Sequence, residues 1–542
     1  MSLMNQNAAE NEKVLVIQCR EPYYSYDAYH LTAAFFPEYV REGRILQETG
    51  PGEGEMSREA DSQTEPAVQV TVRCNTDRDV LFTFTPALNE DRKDSKSRMG
   101  RELYRALSEA SGRELPWGIL TGIRPVKIVR KWLEEGLTAD ECVSRFMERT
   151  LASNDRSELA VRIAQTELEI LKAARESASR QGSSDQDGIC VYVHIPFCPS
   201  RCSYCSFASV PADKYAKHID RYLDCLEKEM RAAAEMLRSG ESANRGADGS
   251  DSQDAGSSPG RHVSSIYVGG GTPTVLSAQQ LERLCGMIRR FAAGGSERAA
   301  GAEGADSTAA DPFVEWTVEA GRPDTITADK LRVLKAAGVT RISINPQSMH
   351  DETLRRIGRA HSSEQIVEAF NLARAEGFDN INMDLIAGLD GESADDFRKT
   401  LGRIAELDPE SVTVHALAVK RASIMGQDRD RPLPPASEVE RMGEEARRRA
   451  KEQGLEPYYL YRQKNISGNG ENIGFAKPGK GCLYNILIME EVQDILAFGA
   501  GAISKFVDHG SGLISRVDNV KDVLLYMEQI DEMIKRKERV LC

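Results

Sequence analysis

Six short runs rich in β-branched residues, each followed by a helical pattern, leave this chain few choices of fold. The runs are Val191–Ile195, Ser265–Val268, Val314–Glu319, Arg341–Asn345, Ile381–Ile386 and Val412–Leu417. Strands that alternate with helices pair in parallel, because each returns to the sheet through a crossover helix. The fold class is therefore α/β, a partial (β/α)6 barrel. In a barrel of this kind the loops that follow the strands converge on one mouth. Residues at the C-terminal ends of strands are then the candidates for function.

The barrel is expected to occupy residues 188–421 of 542. Upstream, residues 13–87 read as β-rich, with a buried-strand run at Val14–Gln18 and apolar–polar alternation at Val68–Arg73. From Gly100 to Leu171 the pattern is helical, interrupted by the distinct stretch Trp117–Pro125. Residues 1–180 are expected to form a separate α+β domain with no assigned role, joined through the polar Ser179–Gly188. Two low-complexity inserts, near 239–261 and 292–312, cannot bury enough apolar surface to order themselves and read as disordered loops. Both lie between a helix and the next strand, on the barrel face opposite the mouth. Residues 422–542 read as a C-terminal, substrate-side subdomain that could close over the mouth. Its parts are helical Ser437–Gln453, a Tyr/Gly/Asn-rich region Tyr458–Tyr484, strand-like Ile486–Met489 and Gly-rich Phe498–Ala502.

Composition narrows the class of partner. Forty per cent apolar residues suit a packed core, and a net charge of −14 argues against nucleic acid, which needs a basic face. No apolar run is long enough to span a bilayer, and the polar Met1–Lys13 does not read as a secretory signal. The expectation is a cytoplasmic protein with no membrane span. Eleven cysteines in a chain this long do not make a disulfide framework, but three of them fall within eight residues.

Those three are Cys198, Cys202 and Cys205, in C-x3-C-x2-C spacing directly after the first barrel strand. A structural zinc site wants four closed ligands, and no fourth Cys or His follows at suitable spacing; His194 lies inside the strand. An iron–sulfur cubane normally takes four thiolates, so three leave one iron open to a cofactor or substrate. The other strands end on groups that suit such a ligand. Gly269-Gly270-Gly271-Thr272 follows the second and lets a ligand approach the backbone, whose N–H and C=O groups can bind polar ends. Glu319 ends the third. Gln347 follows the fourth, with Arg359 beyond it, and Asp384 lies in the fifth. Asp and Gln suit ribose hydroxyls, and Arg suits a carboxylate. Each alone is unremarkable; together they place polar groups on successive strands facing one mouth.

The cysteine spacing, with Tyr204 just before its last member, resembles the radical S-adenosylmethionine (SAM) superfamily. Tyr192–Cys198, Gly269–Thr274, Gln347–Met349 and Asn382–Leu389 further resemble the oxygen-independent coproporphyrinogen III oxidase family over about residues 188–420. The flanking Pro116–Ile128, Tyr461–Asn465, Asn472–Lys480 and Cys482–Asn485 resemble its HemZ-like branch. The resemblance implies a [4Fe–4S] cluster on Cys198, Cys202 and Cys205. It implies SAM contacts at Tyr192, Tyr204, Gly270, Gly271, Thr272, Glu319, Gln347, Arg359, Asp384 and Ala418, with no catalytic residue beyond cluster and cofactor. It implies a tetrapyrrole partner and a low-potential electron donor such as flavodoxin or ferredoxin. The implied reaction is oxidative decarboxylation of two propionates of coproporphyrinogen III to give protoporphyrinogen IX.

One position departs from the family pattern. The oxidases carry a further cysteine two places after the cluster motif, where this chain has Phe207. The haem-chaperone branch, which binds haem and passes it on, also lacks that cysteine and supplies the alternative reading. A substrate with four propionates calls for basic groups. Arg462, Lys464, Lys477 and Lys480 cluster in the C-terminal segment, and Arg124, Lys127 and Arg130 in the N-terminal domain. Arg462 and Lys464 are the expected propionate contacts. Cys190, Cys225, Cys285 and Cys482 read as packing or surface cysteines.

Overall fold

The computed structural model describes residues 15–19, 21–37, 45–49, 68–72, 80–87, 89–122, 124–180, 188–247, 262–294, 315–420, 422–428, 434–462, 470–508 and 510–541. They form two compact units, one of residues 1–164 with 462–471, the other of residues 165–461 with 472–542. The division falls inside the helix Asn154–Arg180, upstream of the expected linker, and it assigns a piece of the C-terminal segment to the first unit.

The first unit holds a four-stranded sheet of β1 (Leu15–Cys19), β2 (Ile45–Thr49), β3 (Val68–Val72) and β4 (Val80–Phe84), ordered β2-β1-β3-β4. β1 and β2 run parallel and the other pairs antiparallel. The helices Pro22–Phe35 and Arg92–Ser111 supply Tyr24, Leu31, Phe35, Met99 and Leu103 to one core with Ile17, Val68 and Phe84 of the sheet. The first of these helices interrupts the stretch read as β-rich. Its signal was Pro22 at the first helical position, where the missing N–H costs nothing. Trp117 is buried, donates to Glu471 Oε2 at 2.8 Å, and has the Arg462 guanidinium 5.8 Å above its ring.

The second unit is built on an eleven-stranded sheet. β5 (Gly188–Ile195) is followed by a two-residue pair, β6 (Phe197–Cys198) with β7 (Val210–Pro211). Then come β8 (His262–Gly270), β9 (Glu315–Glu319), β10 (Arg341–Ser343), β11 (Ile381–Ala387) and β12 (Ser411–Ala416). β5, β8, β9, β10, β11 and β12 are neighbours in that order and all parallel, each reached from the last by a helical crossover. Three of the helices start on a serine capping box: Ser277 with Gln280, Ser362 with Gln365 and Ser393 with Asp396. These are the six expected strands, and the partial barrel they form stays open. β14 (Asn472–Ala476) and β13 (Glu456–Tyr461) extend the β12 edge, and β15 (Asp494–Phe498), β16 (Ile503–Val507) and β17 (Ile514–Asp518) extend the β5 edge.

Two expectations for this unit are corrected. Ile486–Met489 lies within the helix Leu483–Glu490, and the strand is β15 downstream, parallel to β5. Periodicity alone does not separate a short buried strand from a short buried helix. That helix also sits at the wrong end to close the mouth. Its first N–H groups, on Leu483 and Tyr484, donate to the carboxylate of Glu315, the first residue of β9, at 2.8 and 3.2 Å. An anion at a helix N-terminus is favourable, and here it fastens the helix at the N-terminal ends of the strands. Residues 239–247 of the first insert continue the helix Ile219–Ala247; 248–261 and 295–314 lie outside the described residues.

The last helix, Ile530–Leu541, is tied in by a buried ion pair. Lys537 Nζ lies 2.6 Å from Glu229 Oε1, with the two side chains 1% and 0% exposed. Asn519, Tyr526 and the Gly499 N–H also donate to that carboxylate. Removing one member of such a pair strands a charge in the core. Lys537→Met should destabilise the protein by about 3–5 kcal/mol in urea unfolding, and adding Glu229→Gln should restore a large part of it.

Candidate functional site

The cysteine loop is a closed turn pinned at several points. β6 pairs with β7 and ties off residues 199–209. Inside the loop the Cys205 N–H donates to the Cys202 carbonyl at 3.2 Å, and Ser203 N–H donates to Ile357 O at 3.0 Å. Met425 N–H donates to Ser203 O, and Ser200 Oγ to Gly358 O. The three sulfurs turn towards one another: the charge of Cys202 raises both Cys198 and Cys205, and Cys198 adds to Cys205. Burial is the larger cause, pushing the Cys205 thiol up to about 11 and raising that of Cys198. Donors already point at the sulfurs. Thr272 Oγ1 lies 3.6 Å from Cys198, Ser209 also reaches Cys198, the Phe207 N–H reaches Cys205, and Arg359 reaches Cys202. Buried thiols ringed by donors become thiolates when a metal centre supplies the positive charge. Among the described residues no three His, Cys, Asp or Glu side chains converge on a single metal ion.

The glycine loop is fixed against that turn. Gly271 N–H donates to Ile195 O at 2.8 Å and Thr272 N–H to Phe197 O at 2.7 Å. A Cβ on Gly271 would lie 2.6 Å from both carbonyl oxygens, and one on Gly270, at φ +100°, 2.5 Å from the His194 ring. Gly270 N–H donates to Glu319 Oε2 at 3.2 Å. The N–H groups expected to meet a ligand are thus spent inside the protein. What Gly270 and Gly271 can offer is carbonyl oxygen, an acceptor suited to an ammonium group.

Glu319 also accepts from Tyr267 Oη at 2.8 Å. Burial pushes its carboxyl up to about 7; the tyrosine bond opposes this and the charge of Asp384 adds to it. Around it runs a row of partly exposed residues in otherwise buried strands: Tyr192 in β5, Tyr267 in β8, Glu319 in β9, Asp384 in β11 and His415 in β12. They face a common lumen. Tyr192 and Tyr267 stack, and Tyr484 from the helix at the far end stacks on both, with its ring centroid 4.8 Å from that of Tyr267. Tyr461 Oη meets His415 Nδ1 at 3.4 Å.

Other expected contacts meet in pairs. Arg359 Nη2 donates to Tyr204 Oη at 3.1 Å. Gln347 has a left-handed backbone, φ +69°, held by its N–H on Asp384 O and by Ile386 N–H on its carbonyl. Its Oε1 and the Arg359 Nε are buried without a hydrogen-bond partner. Asn382 Nδ2 donates to Asp384 Oδ1 at 2.7 Å. Ala418 is partly buried one residue past Leu417, whose N–H bonds Ala387 O. Arg462 does not join this group. It is buried within the first unit, donating to Leu120 O and Gly470 O, and burial lowers it to about 10. Lys464 lies outside the described residues. Sequence reasoning missed Tyr267, Tyr484 and His415; the usable signal for the first and last was a single polar or aromatic residue inside a β-branched run.

The Radical SAM superfamily profile matches residues 254–404, beginning after the cysteine loop. The chain is 38% identical to the oxygen-independent coproporphyrinogen-III oxidase-like protein HemZ of Bacillus subtilis, over 84% of each chain. It belongs to the radical SAM HemN/HemZ-like family. The heme chaperone HemW of Bacillus subtilis is 30% identical over 63% of this chain and 76% of its own. The oxygen-independent coproporphyrinogen III oxidase of Escherichia coli is 31% identical over 45% of this chain and 46% of its own. The solved structure of that oxidase, HemN, covers 67% of this chain and 72% of its own at 26% identity, with a TM-score of 0.47. The family's cofactors are a [4Fe–4S] cluster and SAM. Among the described residues no helix is long and apolar enough to cross a membrane.

The raised Glu319 carboxyl has a consequence for stability. Its ordinary value is 4.5 and its folded value about 7, so the folded chain holds an extra proton between the two. Stability contributed by that proton is present below pH 4.5 and falls as pH rises to about 7. Glu319→Gln should flatten this slope, and Tm of both proteins measured from pH 5 to 8 checks it.

Proposed function

We propose that Cys198, Cys202 and Cys205 hold the [4Fe–4S] cluster and that the residues around the glycine loop hold SAM beside it. The observation that carries this reading is the direct link between the two: Thr272, which closes the glycine loop, has its hydroxyl on Cys198 and its N–H on Phe197 O. The donor set fits the pair of cofactors. Three thiols lie together in one pinned loop, carbonyls of Gly270 and Gly271 with the Glu319 carboxylate suit an ammonium group, and the unpartnered Gln347 Oε1 suits a ribose hydroxyl. Asp384 beside it adds a second hydroxyl acceptor, and Arg359 suits a carboxylate. Tyr192 and Tyr204 supply aromatic surface, and Ala418 a backbone contact at the last strand.

Bound there and reduced by one electron, the cluster and SAM supply a 5′-deoxyadenosyl radical that takes one hydrogen atom from an unactivated carbon. The chain's part is to hold the cofactor rigidly against one C–H bond and keep water away. We read the substrate as coproporphyrinogen III and the product as protoporphyrinogen IX. For each of two propionates one C–H bond breaks, the carboxylate leaves as CO₂, and one electron passes to an external acceptor. A low-potential carrier supplies the electron for SAM cleavage. A cytoplasmic site of action follows from this chemistry.

Two observations favour a second reading, a carrier that binds haem and transfers it. Relatives named as heme chaperones match more than 60% of the chain, and Phe207 stands where the oxidases carry a cysteine. One anaerobic assay of reconstituted protein with dithionite, SAM and coproporphyrinogen III separates them. Protoporphyrinogen with two CO₂ per molecule is expected; tight haem binding without that product selects the carrier. In the same assay Cys198→Ala, Cys202→Ala and Cys205→Ala should each lose iron and 5′-deoxyadenosine formation, and full iron content in all three overturns the cluster assignment.

A further inference from the structure

The segments that close around the cysteine loop carry charge of one sign. Residues 199–209, 355–361 and 418–427 contain Arg201, Arg355, Arg356, Arg359, Lys420 and Arg421 and no Asp or Glu, in a chain whose net charge is −14. All three meet at the loop: Ile357 and Gly358 receive Ser203 N–H and Ser200 Oγ, Met425 N–H reaches Ser203 O, and Arg201 reaches Ala422 O. Arg359 is buried on Tyr204, and Arg356 pairs with Glu352. Arg201 and Arg355 are exposed. The same segments carry two large exposed apolar side chains, Phe207 at 65% and Ile424 at 46% exposure. Phe207 is two residues past Cys205, and Ile424 adjoins Met425.

Exposed apolar groups rimmed by cations are the anatomy of a docking site for a protein with an acidic face. Resting on the cluster assignment above, we propose that this face docks an acidic protein that carries single electrons, and that it is the port through which the cluster is reduced. An electron must enter from outside. The other described cysteines, Cys19, Cys142, Cys190, Cys225, Cys285 and Cys482, are buried. A locally positive face on a negative protein is what an acidic carrier needs in order to approach and orient. The residues that face the lumen, Tyr192, Tyr267, Asp384 and His415, belong to none of the three segments.

The test compares two reductants on one readout, 5′-deoxyadenosine formed from SAM by the reconstituted protein. Dithionite needs no docking; a bacterial flavodoxin, pre-reduced to the hydroquinone, does. Arg201→Glu with Arg355→Glu, and separately Ile424→Ser, should leave the dithionite rate at the wild-type value. The charge variant should lose at least about ten-fold in the flavodoxin-driven rate, and it should lose the wild type's sensitivity to added KCl. A wild-type flavodoxin-driven rate in both variants overturns the docking face. So does an equal loss with both reductants, which assigns these residues to cluster integrity, or a raised KM for porphyrinogen alone, which assigns the cations to propionates. No 5′-deoxyadenosine from the wild type with dithionite brings down the cluster reading itself, and the port with it.

Discussion

Two backbone hydrogen bonds join the ends of β5 and β8, Gly271 N–H to Ile195 O and Thr272 N–H to Phe197 O, and the candidate site is organised around them. They require contact distances that no side chain at Gly270 or Gly271 would permit. Because Phe197 and Cys198 follow at once, the position of the first cysteine is set by the sheet rather than by a free loop. The opposite flank of the same segment is held as firmly. Tyr222 Oη donates to His194 O at 2.7 Å, Ala500 N–H donates to Tyr222 Oη, and the ring of Tyr222 meets that of Phe197 edge-on. A group that must be placed against a single bond gains from such rigid support.

The lumen departs from the usual interior of a closed barrel, which is filled by layers of branched apolar residues. Here aromatic and acidic side chains line it, and the charge of Asp384 adds to the cost of ionising the buried Glu319. A carboxylate, a buried glutamine oxygen without a donor and a left-handed non-glycine residue are all unfavourable in isolation. Their concentration at the strand ends is the pattern of a site that waits for a polar ligand to satisfy it. The stacked rings of Tyr192, Tyr267 and Tyr484 form the apolar side of that lumen, and Tyr484 reaches it only because Glu315 anchors its helix beneath.

Much of this was legible in the sequence where it depended on local pattern. The six barrel strands announce themselves as β-branched runs, and the cysteine spacing marks the loop that follows the first. The polar groups at successive strand ends could be listed in order. What was not legible depends on register and on distant parts of the chain. That Tyr267 would donate to Glu319, or that the glycine N–H groups would be consumed by Ile195 and Phe197, follows from the pairing of β5, β8 and β9. Ile486–Met489 misled because four apolar residues fit either helix or strand. Arg462 looked like one of a basic cluster, yet its position on Trp117 comes from contacts more than 300 residues away in sequence.

The open barrel is finished at both edges by strands from the end of the chain. β15 seals the flank of β5, and the helix Ile530–Leu541 is drawn in through Lys537 to Glu229. During synthesis the first barrel strand and the cysteine loop therefore emerge hundreds of residues before the elements that buttress them. Until β15 has been made, β5 presents a bare edge. The surroundings of the cysteine loop are thus complete only once segments far downstream in the chain have folded back onto β5.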